Sequence, residues 1–295
     1  MHPKLETLLV GVDLTAPSLE GAEWVARAFA PEARVVLAHT IEAHPLRRFF
    51  SVQVAQEKAE RMRADAAERL ENLRLEVGAD RTKVVVTDGD PGTRLAEIAD
   101  EEGANLIAVG GYREKFAGGL LGTVVSTLLG ASTIPLLITH ALPEGPPKRA
   151  LVAVDESDSS KRVLEWARAL AEAFDLEGRV VSAIEPGGVA VNTTLFSSDE
   201  EYRQAREQVV ESTRRRIEIA ARDAGLGAER FEVLAFYGRP EQEILAAAEE
   251  LGAELLILGS RGYGHGRTLM MGSVSRRVTE ASNCPVLIVP PESKR

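Results

Sequence analysis

The stretch LLILGSRGYGHGRTLMMGSVSRRV, residues 255–278, decides the reading of this chain. An unbroken apolar run ends at Gly259, and glycines follow at 262, 264 and 266. Gly272-Ser273 then opens a segment with helical character. The skeleton is Gly259, two residues, Gly262, nine residues, Gly272-Ser273. A buried strand, a glycine loop and a helix in that order form one unit of an open α/β sheet, whose ligands sit outside the carboxyl ends of the strands. Gly259 and Gly262 allow φ > 0 and close approach of backbone to an anion. The free N–H groups and the dipole of the helix opened by Gly272-Ser273 attract phosphate. The Ser273 hydroxyl adds a donor or touches a metal, and Arg261 and Arg267 supply positive charge. A plainer reading of the same residues is a flexible loop with Ser273 as an ordinary helix cap. The loop lacks the Gly-Lys-Ser/Thr of a P-loop. It also follows the wrong strand, with the wrong spacing, for the dinucleotide fingerprint.

Working outward, the chain proves to be an internal repeat. Val12-Asp13 returns as Val154-Asp155 and Glu23-Trp24 as Glu165-Trp166, both offset by 142. Gly89-Asp90-Pro91 returns as Gly238-Arg239-Pro240 at an offset of 149, and PLLI at 135–138 as PVLI at 285–288 at an offset of 150. Stepwise growth of the offset fits two copies that acquired small loop insertions. ALPEGPPKR at 141–149 concentrates proline and glycine and reads as a short, stiff linker. The expected domains are therefore 1–145 and 146–295.

Each copy alternates strand and helix patterns. The expected strands are 8–12, 35–39, 83–87, 106–110 and 134–139, then 150–154, 179–184, 231–236, 255–259 and 285–289. Expected helices include 18–30, 53–77, 199–224 and 273–281, with others starting after Pro91 and Pro240, where a missing N–H costs nothing. Continuous apolar strands imply burial on both faces, hence a parallel sheet covered by helices. The fold class is α/β: two tandem doubly wound, five-stranded, parallel, Rossmann-like domains.

Composition narrows the function. With 44% hydrophobic and 27% charged residues the chain has the balance of a soluble globular protein. No apolar run approaches the roughly 18–20 residues of a membrane span, and the N-terminus lacks a signal-peptide pattern, so a cytoplasmic location is expected. A net charge of −10 argues against a nucleic-acid partner; Arg214-Arg215-Arg216 reads as a solvated helix face. The single cysteine, Cys284, excludes an intrachain disulfide and reads as a small buried hydrophobe. The five histidines show no zinc-ligand spacing.

The Gly-x2-Gly-x9-Gly-Ser pattern, the Val-Asp that ends the first strand and the final Pro-Val-Leu-Ile-Val strand together resemble the universal stress protein family, over nearly the whole chain. The resemblance implies a five-stranded parallel sheet, adenine-nucleotide binding in one subclass and a role in stress survival. It places Asp155 near the adenosine moiety and the backbone around Ile184 beside the adenine. Gly259, Gly262, Gly272, Ser273, Val274 and Ser275 would hold ribose and phosphates. Asp155 also reads as an ordinary turn carboxylate at a strand end. The implied cofactor is ATP, with Mg2+ or Mn2+.

The first copy departs from this pattern. In LIAVGGYREKFAGGLLGTVVS, residues 106–126, Gly110 and Gly122-Thr123 are present. Arg113 stands where the second glycine should be, and the loop is one residue shorter. A non-glycine residue forced to φ > 0 costs roughly 1–2 kcal/mol. Gly118 and Gly119 leave another anion geometry open. The first copy is expected to bind ATP weakly or not at all and to serve as a structural partner, with His39 a satisfied histidine rather than a base.

An apolar edge strand needs cover. The two copies are expected to form an intrachain pseudo-dimer, and a homodimer of chains is open. Three functions compete: an ATP-binding stress or signalling module, a slow ATPase or other enzyme, and a nucleotide-independent interaction scaffold. No paired-carboxylate or lysine machinery supports the enzyme. The loops 42–52 and 185–198, with Phe49, Phe50 and Phe196, are candidate lids over the nucleotide.

Overall fold

A computed structural model describes residues 4–42, 52–110, 122–157, 159–185, 198–261 and 271–292. Gly262, Gly264, Gly266, Arg267, Arg113, Gly118, Gly119, Phe49, Phe50 and Phe196 lie outside the described residues. The chain divides into two compact domains, the first spanning Lys4–Pro146 and the second beginning at Pro147.

The first domain runs β1 (Thr7–Gly11), α1 (Ala16–Trp24), β2 (Arg34–Ile41), α2 (Val52–Val77), β3 (Thr82–Asp88), α3 (Pro91–Glu101), β4 (Leu106–Gly110), α4 (Thr123–Ala131) and β5 (Leu136–Thr139). Its strands are all parallel, in the order β3-β2-β1-β4-β5. The second domain repeats this as β6 (Arg149–Ala153), α5 (Ser159–Phe174), β7 (Glu177–Ile184), α6 (Asp199–Asp223), β8 (Phe231–Tyr237), α7 (Pro240–Leu251), β9 (Leu255–Gly259), α8 (Ser273–Ala281) and β10 (Val286–Val289). Its order is β8-β7-β6-β9-β10, again all parallel.

The apolar runs explain the sheet. Leu8, Leu9, Val35, Val36 and Leu106 in the first domain, and Leu151, Val152, Leu255 and Leu256 in the second, are fully buried. Each such side chain contributes about 1.5–3 kcal/mol on leaving water. β3 and β8 differ: each stands at one edge of its domain's sheet and is mostly half-exposed, so burial on both faces does not extend to these two strands.

Local chemistry sets the helix ends. Asp90 caps α3, its carboxylate accepting from Thr93 N at 2.9 Å, with Pro91 in the first turn. Ser198 caps α6 by accepting from Glu201 N at 3.2 Å. α7 ends at Gly252, whose φ of 63° is left-handed. The helix expected over 18–30 starts two residues earlier, with Pro17 in its first turn, and its last five residues, Val25–Phe29, form a π-helical turn.

Both long helices are covers along only part of their length. Among the described residues of α2, Ala66, Leu70, Leu73 and Val77 are buried, while residues 60–65 are exposed all round. Twenty-six helical residues extend about 39 Å, against about 26 Å for the eight-residue strand β2. Among the described residues no helix is long and apolar enough to cross a membrane. Cys284 is buried as expected, and burial pushes its thiol up to about 11.

Candidate nucleotide site of the second domain

In the second domain the strand order reverses between β6 and β9, which puts a crevice at the carboxyl ends of these strands. A cavity of about 330 Å³ lies there, with lining residues from the ends of β6, β7 and β9 and the starts of α5, α7 and α8. That volume is at the lower end of the range of small-molecule sites. The lining mixes apolar residues, among them Ala183, Pro240, Ile244 and Val278, with a polar group at the junction of β9 and α8, Arg261, Gly272, Ser273 and Ser275; Asp155 stands among the lining as well.

The polar group is anchored by α8. Gly272 N donates to Ser260 O at 2.8 Å, and the buried Ser275 donates its hydroxyl to Gly259 O at 2.7 Å. These two bonds fix the helix start against the end of β9. Gly272 is the N-cap and makes no side-chain cap bond. The first-turn amides have no partner within the helix, and Ser273, Val274 and Ser275 all line the cavity. The helix therefore offers a positive dipole end and N–H donors to whatever fills the cavity.

Asp155 is the hub of a turn. Its Oδ1 accepts from Ser157 N at 3.0 Å, from the Ser160 hydroxyl at 2.8 Å and from the Ser157 hydroxyl, while its own N–H donates to Ser160 Oγ at 3.0 Å. The turn-carboxylate role read from sequence is thus realised, and the same residue lines the cavity. Ser157 and Ser160 carry no motif of their own; only the count of two and five residues from Asp155 could have flagged them.

Of the residues singled out from sequence, Asp155, Gly259, Arg261, Gly272, Ser273, Val274 and Ser275 come together on the cavity lining. Ile184 does not line it; Ala183 and Glu185 on either side do, and the Ile184 carbonyl accepts from Gly238 N at 3.1 Å. Gly262 lies outside the described residues. Gly259 does not use the positive φ open to a glycine. A Cβ there would meet Arg261 O at 3.2 Å and Val163 Cγ2 at 3.6 Å, so close approach of the returning backbone is what favours glycine. Among the described residues no group of three or more His, Cys, Asp or Glu side chains could hold a metal ion.

The first domain carries the same turn with different detail. Asp13 Oδ1 accepts from Thr15 N at 2.9 Å and from the Thr15 hydroxyl at 2.6 Å. Leu14 is left-handed, with φ 66°. Gly110 is crowded by α1: a Cβ on it would stand 3.0 Å from Ser18 Cα. His39 Nδ1 is 2.7 Å from Val12 O, so that nitrogen carries the proton and donates, which makes His39 a satisfied histidine.

The model described as the universal stress protein family matches residues 4–140 and again 147–290. A universal stress protein of Bacillus subtilis is 34% identical over 147 residues, covering 48% of this chain and 97% of the relative. One from Thermus aquaticus is 36% identical over 142 residues, covering 48% of this chain and 98% of its own. Among solved structures, a universal stress protein from Archaeoglobus fulgidus superposes with a TM-score of 0.73 at 23% identity, covering 100% of this chain and 99% of that one, a likeness of fold. One family model matched twice, once in each compact domain, accounts for the internal repeat, and the chain belongs to the universal stress protein family as a tandem, two-domain member.

Proposed function

We propose that the second domain binds ATP or a related adenine nucleotide, and that the chain is a stress-response or signalling module whose first domain is mainly a structural partner. The observation that carries this is the α8 N-terminus: its first-turn residues line a cavity at the sheet's switch point. The donors at the α8 start orient the ligand. Phosphates belong at the α8 start with Arg261, and the base near the apolar Ala183, Pro240 and Ile244. A divalent ion would enter on the phosphates, because Mg2+ is bound through one or two carboxylates plus substrate phosphates, and Asp155 Oδ1 already serves its turn. In the first domain, Arg113 in place of the second glycine and a loop one residue shorter both oppose an equivalent site. A cytoplasmic location, pairing of the two domains and a homodimer belong to the same proposal; sedimentation analysis tests the last.

Calorimetry of the full chain with ATP and Mg2+, after removal of co-purified nucleotide, tests the assignment. One site per chain is expected, lost in Gly262→Arg, which imposes the first-domain residue on the second. Two sites would overturn the role given to the first domain, and none would favour a nucleotide-independent scaffold. Phosphate release above the buffer rate would instead favour a slow ATPase.

A further inference from the structure

Glu156 follows Asp155 directly, and its carboxylate is held by α6, some sixty residues on. Arg216 grips it with two bonds, Nε to Oε2 at 3.1 Å and Nη2 to Oε1 at 2.6 Å. Thr213, 2% exposed, donates its hydroxyl to Oε1 at 3.0 Å and accepts from Arg216 Nη2 at 3.0 Å. The Arg216 hydrogen bonds hold the Glu156 carboxyl below its usual range. Forked, charge-assisted contacts of this kind fix orientation as well as distance. The neighbouring arginines behave differently: Arg214 and Arg215 pair with Glu211 on their own helix. Arg216 is the member of this run that reaches a different element.

The first domain holds the same point by other chemistry. Arg69 stands three residues after the buried Ala66 in α2, as Arg216 stands three after the buried Thr213 in α6. Arg69 Nη2 donates to Leu14 O at 2.8 Å, and Leu14 follows Asp13 as Glu156 follows Asp155. Although the two copies have diverged in their glycine loops, in both an arginine of the long helix fastens the residue after the strand-end aspartate. Turn residues have many neighbours of similar sequence separation; the same pairing at equivalent positions twice over is a built feature.

We propose that Arg216 is a positioning residue for the nucleotide site: through Glu156 it fixes the turn that carries Asp155, and with it one rim of the cavity. This rests on the nucleotide reading above. Because α6 is a continuous helix of 25 residues, the tether also makes its placement and the site's affinity interdependent.

The experiment is ATP calorimetry together with amide hydrogen exchange at residues 155–157, on the parent chain, Arg216→Ala, Glu156→Ala, the double variant and the charge swap Glu156→Arg/Arg216→Glu. Both singles are expected to weaken ATP binding by about threefold to fivefold, the scale of a partly exposed pair, and to speed exchange in the turn. The double variant should lose no more than either single, and the swap should recover part of the affinity. Arg216→Ala weakening ATP while Glu156→Ala does not would overturn the proposal in favour of a direct phosphate contact. Faster exchange with unchanged affinity, or unchanged exchange, would also overturn it. If the parent binds no ATP, the nucleotide reading has failed, and exchange in the variants alone then decides whether Arg216 holds the turn.

Discussion

Asp155 holds a turn and also lines the cavity, and a pair of substitutions separates its acceptor from its charge. Asp155→Ala removes the acceptor of three hydrogen bonds at Oδ1. The Ser157 donors can turn to water, but Ser160 is 8% exposed and its hydroxyl loses more. A lost hydrogen bond nets about 0.5–1.5 kcal/mol, and truncating an acceptor that organises a helix start costs about 0.5–2 kcal/mol. The expected loss is about 1–2 kcal/mol, or a fall of about 3–8 °C in the melting midpoint of a domain of this size. Asp155→Asn keeps Oδ1 and should stay within about 0.5 kcal/mol of the parent. The assay is built in: Trp24 in α1 and Trp166 in α5 are both buried, one in each domain. In a Trp24→Phe background Trp166 emission reports urea unfolding of the second domain, while the cost of losing the Trp24 bond to Gly145 O falls on the first. Equal losses in Asn and Ala would show that charge rather than the acceptor holds the turn. An unchanged midpoint in Ala would refute the turn's contribution altogether. If Asp155→Asn leaves stability intact yet weakens ATP binding, the carboxylate acts on the ligand as well.

Three other outcomes follow from the same structure. Ser273→Glu places a carboxylate at the uncapped α8 start; calorimetry should show ATP weakened at least about tenfold, while helix stability holds or gains about 0.3–1 kcal/mol. Leu256→Ala, at a fully buried position in β9, should cost about 2–5 kcal/mol in the urea transition of the second domain. For Cys284 the folded-state thiol is raised to about 11 from 9.0. Between those values the unfolded chain has released a proton that the folded chain retains, so stability falls as pH rises. About 2 kcal/mol is lost by pH 11, and Cys284→Ala, compared by urea titration at pH 8 and 10.5, should flatten that dependence.

What the sequence disclosed depended on periodicity and spacing. LIAVG and LLILG coincide with β4 and β9 because a continuous apolar run closed by glycine fits a buried parallel strand. The π-helical turn at Val25–Phe29 carries no such mark: its residues keep helical character, and only packing against the sheet decides the extra residue per turn. The half-exposure of β3 and β8 was equally hidden, because KVVVT and FEVLAF are as apolar as inner strands and lattice position is a property of topology. Seven of the candidate residues converge on one cavity because the glycine motif and the strand end are local signals. Glu156, Thr213 and Arg216 were missed, since they meet across 57 to 60 residues; aligning the two copies through Ala66 and Thr213 would have shown the paired arginines.

The duplication itself then separates scaffold from chemistry. Features present in both domains, namely the strand order and the aspartate turn, are what the fold requires. Features present in one are what a ligand would require. In the second domain a forked carboxylate contact replaces a bond to a backbone carbonyl. In the first domain Ser18 stands at 3.0 Å from where the Gly110 Cβ would be, and Leu14 occupies a left-handed conformation that disfavours its side chain. If the second domain is a nucleotide site, converting the first into another should need more than Arg113→Gly, because the first-domain loop is also one residue shorter and its turn lacks the forked contact. Arg113→Gly alone is expected to leave the calorimetric stoichiometry at one; a stoichiometry of two would show that Arg113 by itself had prevented binding.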